Sequence, residues 1–310
     1  MKVEKIYIQM KCWKGKISMR KIKIITDSSC DLSYEIINSL DIGYLGLECE
    51  LEGKKIVEDC GQSFSYREFY KKLRNGAMPR TSQVSPINFS KEFEKWTGKD
   101  YDILYIGFSS ALSGTCNSAL IAREEILEIY PESKIIIIDT KAATSGQGLL
   151  VYIAARLKEE GKSIDEIAQY IEDEKRNVYH FFTVKDLKYL ERGGRISTTS
   201  AILGKVLNIN PILTVTEEGT LEFLEMVRGE KKVLRELVKK IEKNIDGVDI
   251  DTIFVSHADN DEAVKYLCKL IKEKFNVKDI IINYMGLVIG SHTGYGAVGV
   301  FFIGKEKEKK

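Results

Sequence analysis

The chain has 310 residues, 44% hydrophobic and 30% charged, with Lys+Arg at 47, Asp+Glu at 46 and a net charge of +1. This is enough for a full core in two domains or one large one, in an ordinary soluble globular protein. The charge balance carries no basic excess for nucleic acid, and no apolar run approaches the ~18 residues of a membrane span.

Six scattered cysteines (Cys12, Cys30, Cys49, Cys60, Cys116, Cys268) show no CxxC spacing. That argues against a zinc site or disulfide framework and for a reducing cytoplasm. Residues 1–18 lack the apolar core of a signal peptide. Met19 directly precedes a natural first strand, so residues 1–18 are expected to be a peripheral extension or a mis-set start. An intact native mass that includes Met1–Ser18 would rule out the mis-set start. Residues 306–310, within the closing KEKEKK run, read as a solvated charged tail.

Ile22–Thr26 is a buried strand emptying into Asp27-Ser28-Ser29, and Leu32–Leu40 has helical spacing after Ser33. Tyr44 to Leu51 alternates, turns at Glu52-Gly53-Lys54 and returns, a hairpin pattern. Ser65 opens an amphipathic helix stopped by Gly76. The stretch Pro79 to Pro86 reads as a short polar loop carrying Thr81 and Ser82, with Pro86 in the first turn of a helix to Trp96.

Tyr101–Ala119 is the most suggestive stretch. A buried strand, Ile103–Phe108, breaks into Ser109-Ser110-Ala111-Leu112-Ser113-Gly114-Thr115, and a helix follows with Leu120, Ile121, Ile126, Leu127 and Ile129 as its apolar positions. Ligands of open α/β sheets bind at that edge, and free helix N–H groups attract anions. The ordinary structural reading makes Ser113 the N-cap of a plain turn. Another buried strand, Lys134–Asp139, precedes helices over Thr144–Glu160 and Ser163–Lys175. Alternating strands and helices predict a doubly wound, mostly parallel sheet, with the strand ends after Thr26, Phe108 and Ile138 at one edge.

From about Val178 the pattern changes to a strand, a short helix ending at Arg192-Gly193-Gly194-Arg195, a hairpin across Glu217–Gly219, then alternating helices and strands. The fold class is therefore α/β in two domains. Residues 19–177 form a doubly wound, mostly parallel N-terminal unit and residues 178–305 a second, α+β unit, with a cleft between them. Gly286–Gly296, carrying His292, reads as a glycine-rich loop before a last strand.

Gly294-Tyr-Gly296-Ala-Val-Gly299 matches a dinucleotide fingerprint only as a string, because a strand rather than a helix follows it. His180 reads as core, and His257-Ala-Asp259 is a weak ligand pattern. Cys116 sits in a first helical turn, where a thiolate would be stabilised, but reads as a small core residue. Hydroxyl and imidazole clusters in separate loops suit holding an acid group better than breaking a bond. An assembly of Ser113, His292 and Asp27 into a triad remains open. The two arginines flanking two glycines suit a phosphate or an acidic partner surface, and Arg228 adds charge after the hairpin.

Five stretches together resemble the DegV family of bacterial fatty-acid-binding proteins: Thr26-Asp27-Ser28-Ser29, Thr81-Ser82-Gln83, Ser109 to Thr115, Tyr189 to Ile196, and Gly290-Ser291-His292-Thr293-Gly294. The resemblance covers roughly Lys21 to Gly304. It implies two α/β domains with a fatty acid between them, its tail in an apolar tunnel. Thr81, Ser113, the Gly114 backbone and His292 would hold the carboxylate, with Ser82, Asp27 and Ser28 in support. Family members present the acid to a separate ATP-dependent fatty acid kinase, which forms an acyl phosphate for phospholipid precursor metabolism. This implies a cytoplasmic carrier with no catalytic residue, metal or cofactor of its own and no stable membrane insertion. Arg192, Arg195 and Arg228 become candidates for contacting the kinase or the developing phosphate. Val84 and Tyr295 stand where the family often has proline. The first is expected to loosen its loop and the second to restrict the pocket mouth or add a donor. An α/β hydrolase-like enzyme using Ser113 or Cys116 with His292 is the alternative, and a binding module for another small carboxylate or phosphate is a third.

Overall fold

A computed structural model describes residues 20–196, 209–245, 247 and 249–306. The expected extension at 1–18 and most of the charged tail lie outside them. The first sheet is built from β1 (Lys21–Asp27), β2 (Gly43–Leu45), β6 (Tyr101–Gly107) and β7 (Ile135–Asp139). Its order is β2-β1-β6-β7, and every pairing is parallel.

Side-chain alternation covers both faces of this sheet. On one face Ile25, Ile103, Tyr105 and Ile135 pack with helices Pro86–Thr97 and Thr115–Ile129 through Phe89, Phe93, Ala122 and Ile126. On the other, Ile24, Leu104, Ile106 and Ile138 meet helices Ser145–Glu159 and Ile164–Glu174.

The second sheet has the order β10-β9-β8-β13-β11-β12. Its strands are β8 (Val178–Thr183), β9 (Ile209–Val215), β10 (Leu221–Arg228), β11 (Asp249–His257), β12 (Asn276–Tyr284) and β13 (Val298–Ile303). Only the β11–β12 pair is parallel among its described pairings. Phe254 and Phe301 point into the cluster that holds Ser145–Glu159. Ile253, Val255 and Val300 point the opposite way, to helices Glu230–Asn244 and Asp261–Lys274. The layers therefore alternate helix, sheet, helix, sheet, helix, and Ser145–Glu159 belongs to the core of both sheets.

A small antiparallel sheet completes the frame: β3 (Glu48–Leu51), β4 (Lys54–Val57) and β5 (Arg80–Ser82), in the order β4-β3-β5. Several expectations are corrected. The hairpin starts at Glu48, because Tyr44 belongs to a strand parallel to β1. The stretch from Pro79 is not all loop, since Arg80–Ser82 pairs with β3. Val84 is buried beside Phe89 and Phe93, so it anchors that connection instead of loosening it. Leu120, Ile121 and Ile129 are exposed, and the buried face of their helix is made by Cys116, Ala119, Ala122 and Ile126. Gly286–Gly296 contains a helix, Leu287–Thr293.

Candidate functional site

The carboxyl ends of β1, β6 and β7 meet at one edge, where the buried Asp27 ties the end of β1 to the end of β6 and to the helix Ser145–Glu159 that follows β7. Its Oδ2 accepts from Tyr105 Oη at 2.6 Å, Phe108 N–H at 3.1 Å and Gln147 Nε2 at 3.1 Å. Facing this edge, between residues of both sheets, is a cavity of about 360 Å³, within the roughly 300–1,000 Å³ of small-molecule sites. Most of its wall is apolar, including Phe108, Leu112, Phe182, Leu190, Met285 and Ile289. All six belong to one hydrophobic cluster.

Polar groups gather at one part of the wall. Pairing of Thr81 with Cys49 in the small sheet aims the threonine at helix Leu287–Thr293, and Thr81 Oγ1 lies 2.9 Å from His292 Nε2. Ser113 Oγ lies 2.9 Å from Thr115 Oγ1 and accepts from Thr115 N–H at 3.3 Å. Gly114 is the N-cap of the helix that follows, with no side-chain cap, so the expectation that Ser113 is the N-cap is corrected by one residue. The Gln83 amide lies against Gly114, where a Cβ would come within 2.1 Å of its Oε1. Gln83 Nε2 donates to Ser118 Oγ at 2.9 Å. Arg195 also lines the cavity. Its Nε donates to Leu112 O at 3.0 Å and its Nη1 to Gly193 O.

Burial, aided by the charges of Arg195 and Arg192, pushes the His292 pKa down to about 4. The imidazole is therefore neutral at physiological pH, and Arg195 supplies the positive charge on this part of the wall. Neutral donors, one guanidinium and an open helix N-terminus together suit an anion removed from water. They do not make a nucleophile. Ser113 bonds Thr115 and His292 bonds Thr81, while Asp27 is committed to the strand ends. The buried Cys116 thiol is pushed up to about 12, first by desolvation and then by the Asp139 and Asp27 charges. Among the described residues, no group of three or more His, Cys, Asp or Glu is arranged to hold a metal. No described helix is long and apolar enough to cross a membrane.

A family model described as "Uncharacterised protein, DegV family" matches residues 21–305. A DegV domain-containing protein of Clostridium perfringens is 48% identical over 290 residues, covering 94% of this chain and all of that one. The chain belongs to the DegV family. A DegV lipid-binding protein of Thermotoga maritima superposes with a TM-score of 0.82 at 31% identity, over 93% of this chain and 100% of that one. A Thermus thermophilus DegV protein, whose structure is reported for fatty acid binding, gives 0.82 at 30% identity over 92% and 100%. The α/β fold, with a parallel sheet and a second sheet-rich unit, is that of these DegV structures.

Within this DegV chain, Thr81, Ser82, Ser113, Gly114, Arg195 and His292 all line the one cavity. Other candidates do not. Asp27 holds strand ends, and Ser28 Oγ accepts from Leu47 N–H at 2.9 Å. Arg192 is exposed beside the site, 5.1 Å over the Tyr189 ring and 3.5 Å from Ser291 O. Arg228 is exposed at the far end of β10, roughly 23 Å along the strand from the cavity residue Leu221. His292 stands on a helix rather than in a loop. Tyr295 is not a cavity residue. It packs edge-on against Tyr189 at 6.5 Å and under Arg74 at 5.5 Å.

Sequence reasoning missed Gln83, Thr144 and His180 as cavity residues. Thr144 is the least expected, a β-branched residue at φ 50°, a conformation that costs roughly 1–3 kcal/mol. A hydrogen bond from its Oγ1 to Asp31 Oδ2 at 2.5 Å holds it there. The available signal was the small-residue run Ala142 to Gly146 after β7, a strand-to-helix turn at the edge already suspected.

Proposed function

We propose that this DegV protein binds a long-chain fatty acid in the cavity. The carboxylate lies at Thr81, Ser113, the Gly114 backbone and His292, and the acyl tail runs along the apolar wall. The observation that carries this reading is the juxtaposition, in one 360 Å³ cavity, of an apolar wall with Thr81, Ser113, His292 and Arg195. Burying a sixteen-carbon tail at ~0.8 kcal/mol per methylene would contribute around 10 kcal/mol before ordering costs, enough for tight binding. Arg195, which the sequence assigned to a partner, is given to the carboxylate end as well. Lipid and fatty acid binding by the Thermotoga and Thermus relatives supports the reading.

By the family resemblance, the proposed role is that of a cytoplasmic carrier that presents the acid to an ATP-dependent fatty acid kinase and performs no chemistry itself. Exposed Arg192 and Arg228 are assigned to the kinase-facing surface. Native mass spectrometry of the purified protein, followed by extraction, should find one fatty acid per chain. An empty protein that also refuses added palmitate and oleate sinks the reading. Ser113→Ala and His292→Ala should weaken binding about tenfold each, the loss of one charge-assisted hydrogen bond. Unchanged binding would clear those residues of the role.

A further inference from the structure

We propose that the cross-strand pair His180–Val215 is the stop that sets acyl-chain length in this cavity; the inference rests on the fatty-acid reading above. The β8–β9 ladder pairs Phe182 with Leu213 and Thr183 with Ile212. Continuing it by two residues sets His180 opposite Val215, and β10 sets Leu221 beside Val215. Alternation along a strand keeps His180 and Phe182 on one face, and all four of His180, Phe182, Val215 and Leu221 line the cavity. The chain leaves β8 at Thr183 for the turn that carries Arg195. Along β8, His180 therefore lies two residues, about 6.6 Å, further than Phe182 from the strand end that leads into that turn.

The wall at this end is stiff. His180 Nε2 accepts from Ala143 N–H at 3.4 Å, and its ring meets Phe301 edge-on, 5.6 Å away at 88°. Gly146 leaves no room on the remaining side, since a Cβ there would fall 2.0 Å from Nε2. Behind the pair is a second cavity of about 160 Å³ that, among the described residues, shares only His180 and Val215 with the first. Its other walls are Val178, Thr216, Glu217 and three cations, Lys141, Lys175 and Arg176. Lys141 Nζ pairs with Asp139 at 2.7 Å, and Lys175 Nζ donates to Asp139 O at 3.1 Å. A methyl end driven past the pair would leave an apolar wall for a charged one. Up to the stop each added methylene should raise affinity about fourfold, and beyond it the gain should vanish.

Dissociation constants for straight-chain saturated acids, stepped by two carbons, test this in the full chain. Wild type should show affinity rising with length to a break. Val215→Ala should move the break to acids about two carbons longer, and Val215→Phe to acids about two carbons shorter. Thr81→Ala, at the other end, should lower all affinities alike and leave the break in place. A break at one length in wild type and in both Val215 variants, each still melting cooperatively, overturns the inference and leaves the fatty-acid reading standing. A wild type that binds no acid of any length removes the reading and the inference together.

Discussion

Two side chains near the site titrate in opposite senses. Helix Leu287–Thr293 begins on two buried carboxyls: Asp31 Oδ1 accepts from Gly286 N–H at 2.8 Å and Glu58 Oε2 from Val288 N–H at 3.1 Å. Desolvation pushes Glu58 up to about 7, against its hydrogen bonds from Tyr66 and the helix, and it raises Asp31 as well. Since the folded-state pKa of Glu58 exceeds its unfolded value of about 4.5, its contribution to stability is complete below pH 4.5. That contribution is lost as pH rises through 7. His292 is the reverse. With a folded value near 4 and an unfolded one near 6.5, its contribution is complete above pH 6.5 and shrinks as pH falls toward 4. Glu58→Gln should therefore gain on wild type as pH rises from 4.5 to 7, by at most about 3 kcal/mol. Urea unfolding of both proteins at pH 5 and pH 8 checks this. A difference between them that is the same at both values would mean that Glu58 does not titrate in this window.

At the scale of elements, the site depends on how closely the turn after β8 approaches helix Leu287–Thr293. A Cβ on Gly193 would fall 2.1 Å from His292 Nδ1, whereas one on Gly194 would meet nothing within 4 Å, although Gly194 has φ +70°. Gly193→Ala should push the imidazole off Thr81 and cost about tenfold in acid affinity. Gly194→Ala should lower stability by roughly 1–2 kcal/mol through backbone strain and leave affinity alone. Titration with palmitate and thermal melts of both variants would separate the two effects, and equal affinities would deny His292 its place in the site. This helix was also the element least legible in the sequence. Gly290 and the β-branched Val288, Ile289 and Thr293 give it poor intrinsic helix propensity. Its first turn is held by partners 255 and 230 residues away, which no local pattern contains. β5 was hidden for a related reason, since three residues between prolines become a strand only against β3. By contrast, the buried runs of β1, β6 and β7 carried their own signal, and with them the edge where the hydroxyl loop lies. Periodicity was a weaker guide on the helix after that loop. Leu120 and Ile121 are apolar yet exposed, while Cys116 and Ala119 are buried.

Over the whole molecule, Ser145–Glu159 decides how the two sheets behave. Leu149, Leu150, Val151 and Ala154 are almost fully buried in a cluster that takes Ile24 and Leu104 from the first sheet and Phe254 and Phe301 from the second. Separating the sheets would expose that shared layer, at ~25 cal/mol for each Å² of apolar surface returned to water. The cavity is walled from both sides of the same layer: Ala143 and Thr144 precede the helix, Phe108 follows β6, and His180 and Phe301 belong to the second sheet. A ligand here therefore touches residues on both sides of this shared layer, and the two sheets should unfold as one cooperative unit. Binding to the folded state alone stabilises by RT ln(1 + [L]/Kd), about 2.7 kcal/mol at one hundred times Kd. For a chain of 310 residues that should raise the melting temperature by several degrees. Calorimetry with and without palmitate should thus show a single transition that moves as a whole. Two transitions, of which the acid moves only one, would mean that the shared helix does not couple the sheets and that the wall is set by one of them.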